Sequence, residues 1–266
     1  KKISTIYVFF LGRKNMQPVN DLILSLSLDA KGFKNYGNFK KTGESNFIDL
    51  IKNEINLSLD IGANVGMYTK LLLEKTNSNI VSFEPLPEAF NELKKIEFEF
   101  SKRLKVFNLA IGENSNNLNL FYGNQKSEKA SLIQNLEKLS FIKDNNINKI
   151  SVEVRNLDSF YNFFKDKKID FIKIDTEGFE YEVLKGAQKI LNAHKPKFIQ
   201  MEFNWHQLIR NQSLYNISKL VNSYDTFRIL PKGSNLIFIE PSRPENNIYH
   251  LSNYVFIRKD ISNKYK

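Results

Sequence analysis

The sequence has no cysteine among its 266 residues. Disulfides and thiolate-held zinc are therefore excluded, and a reducing compartment costs the chain nothing. Histidine is scarce as well, at three residues. Candidates for an imidazole base are thus limited to His194, His206 and His250. No apolar run approaches the roughly 20 residues that a membrane span requires. The longest early one, Ile6 to Leu11, is too short and lacks a cleavage-site pattern, so no signal peptide is expected. The expected compartment is the cytoplasm, with a placement peripheral to the membrane left open. Runs of five or more basic residues are absent too, although 39 Lys and Arg against 29 Asp and Glu give a formal charge of +10. Such a balance admits an acidic partner: a phosphorylated or lipid-linked glycan, a membrane surface or a nucleic acid. Lys is mixed with Glu and Asp throughout, which favours an ordinary solvated surface.

What is present suffices for a sizeable core. Hydrophobic residues make up 41% of the chain, with 22 Phe and 11 Tyr, so global disorder is excluded. The length suits one α/β domain with some elaboration. Residues 1–43 show no clear period and are read as an N-terminal extension. Within them Asp21 to Leu28 fits a short helix or strand, and Gly32, Gly37 and Gly43 mark loops. Residues 44–266 are expected to form the main domain, with an insertion at about 114–155. Ser45 to Glu54 opens it as a helix. Buried strands are expected at Leu57–Ile61, Ile80–Glu84, Leu104–Leu109, Phe171–Asp175 and Phe198–Phe203, alternating with helices at Gly66–Glu74, Pro87–Phe100 and Glu180–Asn192. That alternation predicts a mostly parallel sheet covered by helices on both faces. Asn117–Tyr122 and Ile150–Arg155 look like extra strands in the insertion, and Asp158 is expected to cap a helix through Phe164. Thr226–Leu230 and Tyr254–Arg258 read as an antiparallel pair joined by a loop, which makes seven strands in the main sheet.

The motif with most chemical content is Asp60-Ile61-Gly62-Ala63-Asn64-Val65-Gly66, between a strand and a helix. Gly62 and Gly66 permit a tight turn and close approach of a ligand to the backbone. A carboxylate directly before the turn would repel a pyrophosphate. It suits a ligand carrying an ammonium and a sulfonium, such as S-adenosylmethionine. Glu84 ends the second strand 24 positions later, where acids accept hydrogen bonds from ribose hydroxyls in Rossmann-type sites. Asn64, Tyr68, Thr69 and Pro85 complete the candidates near the turn. Asn108 and the Ala110 backbone are candidates beside the adenine, although Asn108 fits a plain turn residue equally well.

These residues, with NLAIG from Asn108, VRNLD from Val154, IKIDTEGFE from Ile172 and IQMEFN from Ile199, resemble the FkbM-type methyltransferases. The resemblance covers about residues 44–206 and rests on separated motifs in the right order. It implies a Rossmann-like class I methyltransferase fold with S-adenosyl-L-methionine as cofactor and S-adenosyl-L-homocysteine as product. It also implies O-methylation, often of sugars in surface polysaccharides, glycolipids or natural products.

Asp175 and Glu177 follow the fourth strand at the carboxyl edge, where open α/β sheets bind ligands. Under the resemblance Asp175 lies near both methyl donor and acceptor. Glu177 has a second reading, with Glu180, as an acid favouring a helix N-terminus. Glu202 and His206 close the fifth strand. A neutral imidazole there would accept a proton from an alcohol, though a lone His is also commonly structural. Trp205 either stacks on a sugar or packs. Asp175, Glu177, Glu202 and His206 are thus the catalytic candidates. No metal is expected, with an Mg²⁺ site of Asp175, Glu202 and Asn204 as the alternative. The expected partner is a hydroxyl-bearing saccharide walled by Asn114–Lys149 and Pro231–Leu251. No stable nucleic-acid partner is expected. Methylation of nucleic acid or protein, and cofactor binding without catalysis, are the competing functions.

Overall fold

Leu57–Ile61 (β1) is buried at every position, as a strand covered on both faces must be. The computed structural model describes residues 2–123, 130–133, 148–231 and 236–266. Helices α1 (Lys2–Leu11) and α2 (Gln17–Ala30) come first, then α3 (Phe39–Thr42) and α4 (Glu44–Ile51). After β1 the chain forms α5 (Met67–Lys75), β2 (Asn79–Phe83), α6 (Pro87–Glu99) and β3 (Leu104–Phe107). A side sheet follows, made of β4 (Ala110–Ile111), β5 (Asn116–Tyr122) and β6 (Asn148–Arg155). The chain then returns through α7 (Tyr161–Phe164), β7 (Phe171–Ile174), α8 (Glu180–Lys185), α9 (Gln188–His194) and β8 (Phe198–Phe203). It ends in α10 (Trp205–Ile209), α11 (Leu214–Leu220), β9 (Tyr224–Ile229), β10 (Leu236–Ile239), β11 (Ser252–Arg258) and α12 (Lys259–Ser262).

The main sheet runs β10-β9-β11-β8-β7-β1-β2-β3. The five strands from β8 to β3 pair in parallel. Strand β11 inserts antiparallel between β8 and β9. All seven strands read from the sequence are present. An eighth, β10, pairs with β9 at the edge, inside the stretch expected as a loop. It is short, and its Ile237 and Phe238 stay exposed, so its apolar run carried little sign of burial. One face of the sheet packs on α7, α8, α9 and α11 through Phe164, Val183, Ile190 and Ile217. The other packs on α4, α5 and α6 through Phe47, Leu72 and Leu93. Strand order reverses at β1, which has β2 on one side and β7 on the other. That reversal opens a crevice at the carboxyl ends of the strands.

Three local expectations are corrected. Asp158 does not cap the turn that contains it: Asn156 does, accepting from the Ser159 N–H at 2.8 Å. The Asp158 carboxylate instead accepts the Lys189 and Ile190 N–H groups at 3.0 and 2.9 Å, and so caps α9 across space. The helix expected from Glu180 to Asn192 is two helices. A Cβ at Gly186 would lie 2.0 Å from the Gly112 carbonyl oxygen, so the break admits a neighbouring backbone. Residues 1–43, read without period, hold two well-formed helices. Apart from Leu28, their apolar side chains are not buried, and the helical spacing they carry goes unread from sequence because it leads into no core. Residues 124–129 and 134–147 of one expected acceptor wall, and 232–235 at the start of the other, lie outside the described residues.

Candidate active site

The carboxyl ends of β1, β2, β7 and β8 open into a cleft of about 990 Å³, near the upper end of the range for small-molecule sites. Its floor is the turn after β1. Gly62 has φ +81° and a Cβ there would stand 1.8 Å from the Asp175 carbonyl oxygen. Glycine is thus required where the ends of β1 and β7 meet. The space the missing Cβ leaves is filled by protein rather than reserved for a ligand. The Gly62 and Ala63 N–H groups both donate to the Phe83 carbonyl at 3.0 Å.

Glu84, just past β2, is buried. Its two carboxylate oxygens accept the backbone N–H groups of Asn64 at 2.8 Å and Leu86 at 2.7 Å. Burial raises its carboxyl to about 7 against those two amides. Asp60 is also buried and accepts the Thr69 hydroxyl at 2.6 Å. Burial lifts it to about 6, opposed by Thr69 and by the Lys173 ammonium.

Sequence reading assigned no role to Lys173, yet it is the electrostatic centre of the cleft. Its ammonium donates to Asp175 Oδ2 at 3.1 Å, lies 3.8 Å from Glu44 Oε1 and sits over the Tyr68 ring. Burial works against this cation, but Asp175, Glu44 and Glu202 outweigh it and hold its pKa above the usual lysine value. One ammonium cannot neutralise Asp175, Glu44, Glu202 and Asp60 together. Glu44 and Glu202 are accordingly both raised, chiefly by burial, with Lys173 opposing. A charged residue in the middle of the apolar strand FIKI was the available signal for Lys173. Glu44 carried none: beside the local bond from Thr42 at 2.7 Å, its partners Gln200 at 2.8 Å and Lys173 come from distant parts of the chain.

Beyond β8, Asn204 caps α10 and joins a carboxyl group, Glu202, to an imidazole, His206. Its Nδ2 donates to Glu202 Oε1 at 2.7 Å, and the His206 backbone N–H, which can only donate, fixes the amide orientation. Its Oδ1 then faces the His206 N–H at 2.8 Å and His206 Nδ1 at 2.7 Å. An amide oxygen only accepts, so Nδ1 carries the proton and Nε2 the lone pair. Burial and then Arg210 depress the imidazole to about 3, so it is neutral throughout the physiological range. Glu177 Oε2 lies 3.5 Å from the same Nδ1.

Of the residues singled out from sequence, Asp60, Gly62, Asn64, Tyr68, Glu84, Pro85, Ala110, Asp175, Glu177, Glu202, Asn204 and His206 line the cleft, as does Trp205. Gly66, Thr69 and Asn108 do not. Gly66 packs against Leu93 and Ile96 of α6, Thr69 supports Asp60, and Asn108 Nδ2 donates to the carbonyls of Glu84 and Pro85 at 2.9 and 3.0 Å. The carboxylates that gather are Asp175, Glu177 and Glu202, with one oxygen of each within 4.8 Å of the others. Asn204, expected in that set, is turned onto Glu202 and His206. The stretch Asn35–Asn38 and Thr42 forms a further wall, one that sequence reading left unassigned.

Residues 60–227, well over half of the chain, match the Methyltransferase FkbM domain. The chain belongs to that family. It is an S-adenosylmethionine-dependent methyltransferase. The 2-O-methyltransferase NoeI of Sinorhizobium fredii is 25% identical over 197 residues, 70% of this chain and 79% of NoeI. Methyltransferase 1 of Beauveria bassiana is 27% identical over 143 residues, 48% and 57% of the two chains. A solved O-methyltransferase from Bacillus cereus in complex with SAH superposes with a TM-score of 0.44 at 12% identity, covering 97% and 98%.

The donor set of the cleft fits the cofactor. When bound, S-adenosylmethionine supplies an electrophilic methyl on a cationic sulfur. Burial holds Asp60 and Glu84 above the ordinary carboxylate range, and a cationic ligand beside them would favour their ionised form. Asp60 and Glu84 would hold it at the β1–β2 end. Asp175, Glu202 and His206 would be left for the acceptor side.

Proposed function

We propose that the protein transfers the methyl group of S-adenosylmethionine to a hydroxyl oxygen of a saccharide, in the cytoplasm. The observation that carries this is the Glu202–Asn204–His206 chain, which presents a neutral imidazole to the same cleft as Asp60 and Glu84. Methyl transfer to an alcohol needs the oxygen aligned behind the methyl group and its proton removed as the bond forms. His206 Nε2 accepts that proton late in the transfer: burial makes the imidazole a weak base, and the hydroxyl proton becomes strongly acidic only as the new O–C bond forms. Asn204 holds the tautomer, and Glu202 holds Asn204. Asp175 and Glu177 accept hydrogen bonds from neighbouring hydroxyls of the acceptor. The 2-O-methyltransferase name of the Sinorhizobium relative supports an oxygen acceptor. Trp205 and Tyr36 on the cleft wall offer faces to sugar C–H surfaces.

The deciding experiment is a methyl-transfer assay with labelled S-adenosylmethionine against separate glycan, RNA and protein fractions. Label is expected in the glycan fraction, and mass spectrometry should find one added methyl per acceptor. Label in RNA or a protein side chain alone would overturn the saccharide reading.

A further inference from the structure

Eleven of the twenty exposed large hydrophobic side chains among the described residues lie between Ile3 and Leu26. Helix α1 buries nothing, and α2 buries only Leu28. On α1, Ile3, Ile6, Tyr7 and Phe10 share one face. On α2, Val19, Leu22, Ile23 and Leu26 do the same, at i, i+3, i+4 and i+7. A stripe of this kind ordinarily meets a core, whereas here it is open. Concentrated exposed apolar surface marks an interaction site.

The hairpin is built, not frayed. The Tyr7 hydroxyl donates to Asn20 Oδ1 at 2.6 Å, and Asn20 Nδ2 donates to the Leu11 carbonyl at 2.8 Å. Its far end is fastened to the sheet. Phe33 is buried with its ring 4.0 Å from the Arg228 guanidinium, and the Asn35 N–H donates to the Leu251 carbonyl at 3.1 Å.

Charge chooses the occupant. Residues 1–43 contain eight Lys and Arg against two acids, so they carry +6 of the chain's +10. A second copy would bring the same positive surface against it, whereas an anionic lipid surface attracts it. No helix is long and apolar enough to cross a membrane among the described residues. The basic residues flank the helices rather than lie on them: Lys1 and Lys2 precede or open α1, Arg13 and Lys14 lie between α1 and α2, and Lys31, Lys34, Lys40 and Lys41 follow α2. Short apolar helices bounded by Lys and Arg lie in the headgroup region instead. We propose that the α1–α2 hairpin is a docking element that seats the protein on an anionic membrane surface.

Seating has a consequence for the site. Asn35, where the cleft wall starts, is five residues beyond the end of α2. The docked hairpin therefore holds the cleft close to the lipid surface, within reach of a lipid-linked acceptor. That consequence rests on the saccharide reading, whereas docking itself does not.

The test is sedimentation of the full chain with vesicles of phosphatidylcholine alone or mixed with phosphatidylglycerol. Binding is expected to be at least about tenfold stronger on the anionic vesicles, and to weaken between about 0.1 M and about 0.5 M salt. Ile6→Ser with Phe10→Ser should abolish it while S-adenosylhomocysteine affinity and the melting temperature stay unchanged. Wild type remaining in the supernatant overturns the proposal, as does equal binding by the double variant. A concentration-dependent dimer without vesicle binding, lost in that variant, places the face against a second copy and also overturns it. The vesicles contain no acceptor, so failure here leaves the saccharide reading untouched.

Discussion

The Asn204 side-chain oxygen accepts the His206 backbone N–H at 2.8 Å and lies 2.7 Å from its Nδ1. One amide thus caps α10 and fixes the tautomer of the only histidine in the cleft among the described residues. If Nε2 takes the acceptor proton, His206→Gln should lower kcat by roughly 10²- to 10⁴-fold. S-adenosylhomocysteine affinity should stay within about twofold, because the cofactor acids stand elsewhere. Asn204→Ala should show the same direction and also cost about 1 kcal/mol of stability through the lost cap. A His206→Gln enzyme with wild-type kcat would remove the imidazole from the mechanism.

Glu84 is placed differently, with both oxygens already held by the turn's amides. Each oxygen keeps a lone pair for a ribose hydroxyl. Glu84→Ala should weaken S-adenosylhomocysteine by about 1.5–3 kcal/mol, roughly 10- to 100-fold, as expected for lost hydrogen bonds to a charged group. Calorimetry reads this directly. Unchanged affinity would leave Glu84 as a turn support only.

The same acids set a pH dependence. Glu84 at about 7 and Asp60 at about 6 are both raised above their ordinary values, first by burial. A raised acid favours the folded chain while protonated. That stability is full below the ordinary pKa and is lost as pH rises through the folded value. The ligand-free protein should therefore lose stability between roughly pH 4 and pH 7, from the ordinary carboxylate range up to the raised values. Hydroxyl and ammonium groups of the cofactor prefer the ionised carboxylates, so binding should tighten over the same window and release protons. Titrations in buffers of different ionisation enthalpy test the sign. Net proton uptake near neutral pH would contradict the assignment of these two acids.

Parallel strands buried on both faces announce themselves as apolar runs, which is why β1 and β8 begin and end where LSLDI and FIQMEF do. Acids at the ends of such runs were legible for the same reason: Asp60, Glu84, Asp175 and Glu202 interrupt a pattern. Glu44 interrupts nothing, since it opens a helix where an acid is ordinary. Its meaning comes from Lys173 and Gln200, more than a hundred residues away. The wall from Asn35 to Asn38 was hidden likewise, because loops that line a cleft have no period to read.

Lys173 bears on the last question, whether a divalent cation takes part. Asp175, Glu177 and Glu202 bring carboxylate oxygens together, a plausible set for a hard cation. The Lys173 ammonium already donates to Asp175 at 3.1 Å and is held charged by its neighbours. An ion bound there would meet that positive charge at close range. Chelation should therefore leave most activity intact, and millimolar Mg²⁺ should not move the wild-type melting temperature. Lys173→Met removes the cation but not the acids. It should cost about 3–5 kcal/mol, as for one partner lost from a buried ion pair. The acids it leaves behind should then be able to accept a metal, so Mg²⁺ or Ca²⁺ should raise the melting temperature of Lys173→Met alone. If instead chelated wild type is inactive and Mg²⁺ restores it, the lysine and the metal coexist, and the alcohol proton is removed with help from the ion.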